Sequence, residues 1–342
     1  MTSLMLEETR SAPARVAELL ASDGDAYAAL AAELRQREPA FVVTVARGSS
    51  DHAALYLASL VGILAGRVTA SLPPSLVTRY QATLSFQGAF VVSLSQSGAS
   101  PDIVRTLEAA RAGGAITAAI VNQPDSPLAR VAAHPLAQHA GPERSVAATK
   151  SVIATLVACA RLAASWRDDR DLLAALSRLP ERLEAALACD WSPALPVLEH
   201  AQSLYVVGRG PGLGIAAETA LKLKETSGLL AEALSAAEIQ HGPKAVIGPG
   251  FPVLAYGLAD PGGEDARAFA ADLAAVGAQV MVASSSPAGS DALHLPLPEP
   301  LHPLLDPIVA LAAFYPLAEA LARRRGRDPD RPPGLLKVTR TF

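Results

Sequence analysis

The feature that most constrains this chain is an internal repeat. Phe41-Val-Val-Thr-Val-Ala-Arg-Gly48 is an apolar run closed by Arg-Gly and followed by an Ala/Leu-rich helical stretch, and Leu204-Tyr-Val-Val-Gly-Arg-Gly210 does the same. The interval from Arg47 to Arg209 recurs between a second pair of apolar runs, which begin at Ala89 and Phe251. Each of these leads through a loop into a helical stretch, Asp102–Ala112 or Glu264–Val276. A glycine closes each stretch (Gly113-Gly114, Gly277), and a further apolar run follows at Ile116–Val121 or Gln279–Ala283. Short apolar runs alternating with amphipathic helices predict βαβ units and a parallel sheet. A repeat of that pattern predicts two such sheets in one chain.

The length allows this. At 342 residues the chain has room for about two domains. Apolar residues make up 50% and charged residues 18%, a composition that can bury two sizeable cores. The expected segmentation is a helical lead-in over residues 1–35, a first domain over 36–170 and a helical linker over 171–195. A second domain follows over 196–328, then a tail over 329–342. The formal net charge of −4 and the absence of a basic stripe argue against a nucleic-acid partner. The acidic stretch Met1–Glu8 does not read as a signal peptide, and the charge-free stretch Ala53–Gly66 is too short to span a membrane. Cys159 and Cys189 lie in helical text without the spacing of a metal site or a disulfide framework, and are expected to be buried thiols. The expected location is the cytoplasm, with no membrane partner.

The two copies differ in their loops. The first carries Leu94-Ser-Gln-Ser-Gly-Ala-Ser-Pro-Asp102 between a strand and a helix. Backbone N–H groups freed at a helix start, together with the helix dipole, attract anions. Gly98 allows a sharp turn, Ser95, Ser97 and Ser100 offer hydroxyls to phosphate oxygens, and Gln96 can read a neighbouring hydroxyl. The alternative is an ordinary helix cap with surplus serines. In the second copy the equivalent loop, Ala259-Asp-Pro-Gly-Gly263, carries Asp260, which would repel phosphate. Arg47-Gly-Ser-Ser-Asp-His52 is another strand-to-helix loop at the ligand edge of the same sheet. There Ser49 or Ser50 could equally serve as an N-cap.

Glu218, Lys222 and Glu225 fall on one face of one helix, and Lys224 falls off it. An exposed charged face is the ordinary explanation. The apolar text around them (Ala216-Ala217, Ala220-Leu221, Leu223) instead predicts burial, and a partly buried carboxylate beside a lysine can shuttle protons. His241, in Glu238-Ile-Gln-His-Gly-Pro243, gains weight only beside such a carboxylate. The remaining histidines show no metal-ligand spacing, so neither a metal nor a cofactor is expected.

These residues resemble a known family. Ser95-Gln-Ser-Gly98, Ala147-Ala-Thr-Lys150, Ala220-Leu-Lys-Leu-Lys-Glu225, His241-Gly-Pro243 and the ending Gly334-Leu-Leu-Lys-Val-Thr-Arg-Thr341 resemble, in order, the sugar-isomerase (SIS) domains of glucosamine-6-phosphate synthase and of SIS-type glucosamine-6-phosphate deaminases. The resemblance implies two tandem SIS domains in the α/β class, each a parallel-sheet αβα sandwich of flavodoxin-like or Rossmann-like form. It implies that Ser49, Ser50, Ser95, Gln96, Ser97 and Ser100 hold the sugar phosphate and adjacent hydroxyls. Val146 would present backbone to the sugar. Ala148 stands where the family often has Ser, and Ala99 replaces a common Glu. Glu225 would move a proton between C1 and C2, and Lys222 would stabilise charge near the reacting oxygens. His241, from a second subunit of a homodimer, would help open the ring, while Leu336 and Lys337 close over the open-chain sugar.

The synthase draws ammonia from a glutaminase domain with an N-terminal cysteine. Here Thr2 follows Met1, and only about forty residues precede the first strand, fewer than a domain needs. The expected activity is therefore the breakdown direction: glucosamine 6-phosphate to fructose 6-phosphate and ammonia. The alternatives are a fructosamine-6-phosphate deglycase, a phosphosugar aldose–ketose isomerase, a non-catalytic phosphosugar sensor and a purely structural dimer module.

Overall fold

The computed structural model describes residues 2–287, 289 and 291–337. The chain forms two five-stranded sheets. The first contains β1 (Phe41–Val45), β2 (Val68–Ser71), β3 (Ala89–Ser95), β4 (Ile116–Val121) and β5 (His134–Ala137), in the order β2-β1-β3-β4-β5. The second contains β6 (Ser203–Gly208), β7 (Leu230–Ser235), β8 (Pro252–Tyr256), β9 (Gln279–Ser284) and β10 (Leu293–Pro296), in the order β7-β6-β8-β9-β10. Every pairing is parallel. The two orders are the same doubly wound order, so the repeat seen in the sequence is a repeat of topology.

The repeat extends to backbone angles. Gly48 and Gly210 precede the helices that follow β1 and β6, with φ/ψ of 54°/−134° and 55°/−131°. A side chain is disfavoured at such positive φ, which accounts for glycine after arginine in both copies. The arginines repeat for their own reason. Arg47 pairs with Asp102 at 3.2 Å and Arg209 pairs with Asp265 at 2.9 Å. Each aspartate lies in the helix that follows the third strand of its copy, Pro101–Ala112 or Pro261–Ala275.

In the first sheet, β3 and β4 are buried along their whole length, as expected of central parallel strands covered on both faces. Val43, Val45, Ala89 and Val91 pack with Ile103 and Leu107 of the Pro101–Ala112 helix. On the other side, the Ser49–Leu60 helix packs against the long Lys150–Arg167 helix. In the second sheet, Tyr205, Val207, Val253 and Ala255 pack with Phe269 and Leu273. The Pro211–Ser227 helix packs against Asp306–Arg324.

The chain folds into two compact units. Of the described residues, the first takes Ala14–Glu143, Lys150–Ser177 and Leu336–Lys337; the second takes those up to Pro13, Arg144–Thr149 and Arg178–Leu335. The lead-in is thus shared, with the Leu4–Arg10 helix in the second unit and Gly24–Arg37 in the first. Cys159 is buried, but Cys189 is only half-buried near the end of the Arg170–Leu187 helix, which corrects the expectation of two buried thiols. Among the described residues no helix is long and apolar enough to cross a membrane.

The lead-in helix Gly24–Arg37 is tied to its sheet by polar pairs. His134 Nε2 lies 2.6 Å from Glu33 Oε2, and His139 Nε2 lies 2.6 Å from Asp23 Oδ2. Burial alone would raise the Glu33 carboxyl pKa, but the hydrogen bonds and charges of His134 and Arg37 outweigh it and hold the group below its ordinary value. A carboxyl with a depressed folded-state pKa stabilises the fold above its unfolded pKa and loses that contribution as pH falls through the folded value. Glu33→Gln is therefore expected to cost up to about 1 kcal/mol at neutral pH, with the gap closing in acid below the usual carboxylate range. Urea unfolding at several pH values checks this. An equal deficit at neutral and strongly acid pH would exclude the pairing as its source.

Candidate active site

In each sheet the strand order reverses beside its first strand, between β1 and β3 or between β6 and β8. Ligands of open α/β sheets bind at the carboxyl ends of strands flanking such a reversal. The loops after β1 and β3 are Arg47–Ser50 and Gln96–Ser100, so the first unit brings both predicted phosphate-binding segments to its switch point.

The loop after β3 is pre-shaped. Ser95 ends the strand, and its Oγ accepts the Gly98 N–H at 3.0 Å. That leaves the Ser95 hydroxyl hydrogen available to a ligand. Ser97 Oγ receives the Ala99 N–H at a longer 3.4 Å. The Gln96 carbonyl accepts from Asn122 and the Gly98 carbonyl from Leu128, which pins both ends of the turn. Gly98 has φ +60°, and a Cβ there would lie 2.2 Å from Ser126 Oγ. Conformation and space both demand glycine.

Ser100 sits at the N-cap of Pro101–Ala112 without a side-chain capping bond. Gly48, likewise without such a bond, is the N-cap of Ser49–Leu60, so neither Ser49 nor Ser50 serves as the cap. Three serine hydroxyls are thus not consumed in capping, and all three are partly exposed. Asp102, buried in the first turn of the helix that follows this loop, pairs with Arg47 at 3.2 Å. The sequence presented Arg47 only as a marker of the repeat.

The corresponding helix start in the second unit is occupied by the chain itself. Asp260 Oδ1 accepts the Gly263 N–H at 2.7 Å and caps Pro261–Ala275. The second loop thus caps its helix from the N-cap residue, whereas in the first copy Ser100 makes no such bond and Asp102, inside the first turn, accepts the Ile103 N–H at 2.9 Å. Partial burial raises the Asp260 carboxyl pKa, against the lowering effect of the Gly263 N–H and Arg267.

The Pro211–Ser227 helix of the second unit carries the predicted acid–base face. Lys222, 1% exposed, donates to Glu225 Oε2 and lies 3.5 Å from Glu218 Oε1. The Glu218 side chain is fully buried, whereas Glu225 is 23% exposed. Lys224 is exposed, off that face. The three charges therefore run from interior to surface, and only the last carboxylate is open to a substrate. Glu225 also sits in the final helical turn, where the backbone dipole disfavours a negative charge and the Lys222 ammonium offsets it.

His241 ends a short 3₁₀ turn, Glu238–His241, and is exposed; Gly242 follows at φ 141°. Val146 and Ala148 lie in the Arg144–Thr149 stretch of the second unit, both partly buried, with the Val146 N–H donated to the Asp330 carbonyl at 3.1 Å.

Leu336 is exposed in the first unit, and Lys337 Nζ lies 3.9 Å from Glu143 Oε2. Glu143 is a buried carboxylate that also receives the Ser151 N–H and hydroxyl. It was not singled out in the sequence. Its only signal there is an acid placed just before Ala147-Ala-Thr-Lys150, too local to stand apart from a surface charge. The tail residues Val338-Thr-Arg-Thr341 lie outside the described residues.

Two doubly wound units, one with an open serine loop and one with a lysine–carboxylate helix, define the class of the molecule, and the chain belongs to the SIS domain family. The family model for the SIS domain matches residues 35–165 and 197–294. Among curated relatives, glutamine–fructose-6-phosphate aminotransferase of Zymomonas mobilis is 32% identical over 86% of this chain and 51% of its own length. The enzyme of that name from Thermococcus kodakarensis is 33% identical over 97% of this chain and 57% of its own. The chain thus spans about half the length of these relatives. A Silicibacter pomeroyi protein, provisionally named a phosphosugar isomerase, superposes with a TM-score of 0.91 at 42% identity, covering 96% of this chain and 100% of that one. A glucosamine-6-phosphate deaminase from Thermotoga maritima shares the fold, with a TM-score of 0.73 at 20% identity over 99% and 100% of the two chains. The chain is thus a SIS-domain protein over both of its units.

Because Gly98 combines a left-handed φ with a filled Cβ position, Gly98→Ala is expected to destabilise the fold by about 1–3 kcal/mol. Gly48→Ala, with the same φ sign but open space, should cost less. Thermal unfolding of the two variants checks the order, and a reversed order would contradict the packing of the turn.

Proposed function

We propose that this protein is a glucosamine-6-phosphate deaminase, converting glucosamine 6-phosphate and water to fructose 6-phosphate and ammonia. The observation that carries the reading is the pairing of a buried lysine with a partly open carboxylate, Lys222 with Glu225, in a SIS-family chain. Moving a proton between adjacent sugar carbons needs one carboxylate that reaches substrate and a fixed cation that stabilises the oxygen charge developing beside it.

In this mechanism the sugar phosphate is anchored by the hydroxyls of Ser95, Ser97 and Ser100, with Gln96, Ser49 and Ser50 reading adjacent oxygens. His241, supplied by the second subunit of a homodimer, assists ring opening. Glu225 removes the C2 proton of the open-chain amino aldehyde, giving an enolamine, and returns a proton to C1. The resulting C2 imine takes up water and expels ammonia. Lys222 donates to Glu225 and keeps a fixed positive charge beside the reacting oxygens. The backbone at Val146 and Ala148 contacts the sugar, and Leu336 and Lys337 cover the open chain. Phosphate anchoring supplies orientation, and the proton shuttle contributes about 10²–10⁴-fold.

The test is incubation with glucosamine 6-phosphate while free ammonia and fructose 6-phosphate are followed. Glu225→Gln should lower kcat by at least about 10²-fold and leave the Kd for glucosamine 6-phosphate within a few-fold. Turnover retained in that variant rejects the role of Glu225. Interconversion of phosphosugars without ammonia would make the protein an aldose–ketose isomerase. Cleavage confined to fructosamine 6-phosphate adducts would make it a deglycase, and binding without turnover a sensor.

A further inference from the structure

The second unit joins three stretches that lie far apart in the sequence: the Leu4–Arg10 helix, the Arg144–Thr149 loop and the segment after the Asp306–Arg324 helix. Glu8, a buried carboxylate, accepts the Arg144 N–H on Oε1 at 2.5 Å and the Ser145 N–H on Oε2 at 3.2 Å. The next N–H, of Val146, goes to the Asp330 carbonyl at 3.1 Å. The Asp330 carboxylate turns back to the helix that bears Glu8, accepting the Met5 N–H at 2.7 Å and the Leu4 N–H at 2.9 Å. Ser3, the N-cap of that helix, donates its hydroxyl to Glu319 at 2.7 Å. Helix, loop and tail thus form a closed circuit of hydrogen bonds whose acceptors at two corners are carboxylates, the stronger kind for backbone N–H groups.

We propose that Glu8 is a positioning residue for the sugar-facing backbone at Val146, so that the N-terminal helix is a working part of the substrate site. This rests on the role given above to Val146. The circuit consumes three consecutive N–H groups, Arg144 to Val146. With its N–H held by Asp330, Val146 would meet the sugar through its carbonyl oxygen, an acceptor that suits the hydroxyl and ammonium donors of an open-chain amino sugar rather than its phosphate. Glu8 acts through the loop and touches no reacting atom.

Glu8→Gln keeps the size of the side chain but replaces one acceptor with a donor facing a backbone N–H. Asp330→Asn does the same at the opposite corner and serves as the second probe should the first variant fold poorly. The measurements are amide hydrogen exchange at residues 144–146, and the Kd values of glucosamine 6-phosphate and inorganic phosphate. The expected result is faster exchange confined to this loop and its helix. The glucosamine 6-phosphate Kd should rise about 10–100-fold, the loss that a small displacement of a positioning group brings. The phosphate Kd should stay within about twofold. Equal weakening of both ligands would show a merely structural role, and faster exchange with unchanged sugar-phosphate binding would show that the loop does not orient the sugar; either overturns the proposal. The deaminase reading fails separately, by absence of ammonia release from the unaltered protein, whatever these binding ratios show.

Discussion

Everything in this molecule depends on the directionality of its parallel sheets. When all strands run one way, every strand-to-helix loop falls on the same edge, and each following helix starts there with unpaired N–H groups. The order β2-β1-β3-β4-β5 then opens a gap between the loops after β1 and β3. Chemistry belongs at that edge because it is where the fold leaves donors unmade. In each copy, an arginine that closes the first strand reaches an aspartate in the helix after the third strand, so the edge is braced across the gap.

Against that shared frame the two copies are specialised by a few atoms. In the first, Ser100 leaves the helix start without a side-chain cap, and Gly98 lets the backbone turn where a Cβ would strike Ser126. In the second, Asp260 closes the equivalent helix start from within. The second copy instead places its ionisable groups one element earlier, on the helix after β6. The two edges are equal in topology; one carries a serine loop without a side-chain cap and the other a helix with carboxylate and ammonium groups.

Much of this was legible in the sequence because it is periodic or local. The strand positions, the Gly98 turn and the shared face of Glu218, Lys222 and Glu225 follow from spacing within a few residues, and the repeat from one interval shared by Arg47–Arg209 and Ala89–Phe251. The illegible part is long-range. Glu8 with Arg144 and Ser145, Asp330 with Leu4 and Met5, and Glu143 with Lys337 each join residues more than a hundred positions apart. In the sequence they are isolated charges, and no pattern marks which acid meets which amide. The same is true of the compact units, since the six residues Arg144–Thr149 belong with the second unit although both flanks belong with the first. Cys189 departs from the burial its Ala/Leu surroundings suggest because its place just past the helix end opens it to solvent.

The charged face of the Pro211–Ser227 helix is a poor device for stability. Taking Lys222 and Glu218 out of water costs several kcal/mol per ion, and their attraction recovers that only with favourable geometry and further hydrogen bonds. Apolar side chains of similar volume, packed against the Asp306–Arg324 helix, would hold the fold as well. What an apolar trio could not do is deliver a carboxylate to the surface with a cation locked behind it. The gradient from fully buried Glu218 through Lys222 to the partly open Glu225 fixes the position of the last charge without satisfying all of it. In the role proposed for Glu225, a base that must both accept and return a proton needs that combination: a fixed place, a compensating charge that does not move, and an oxygen left for the substrate.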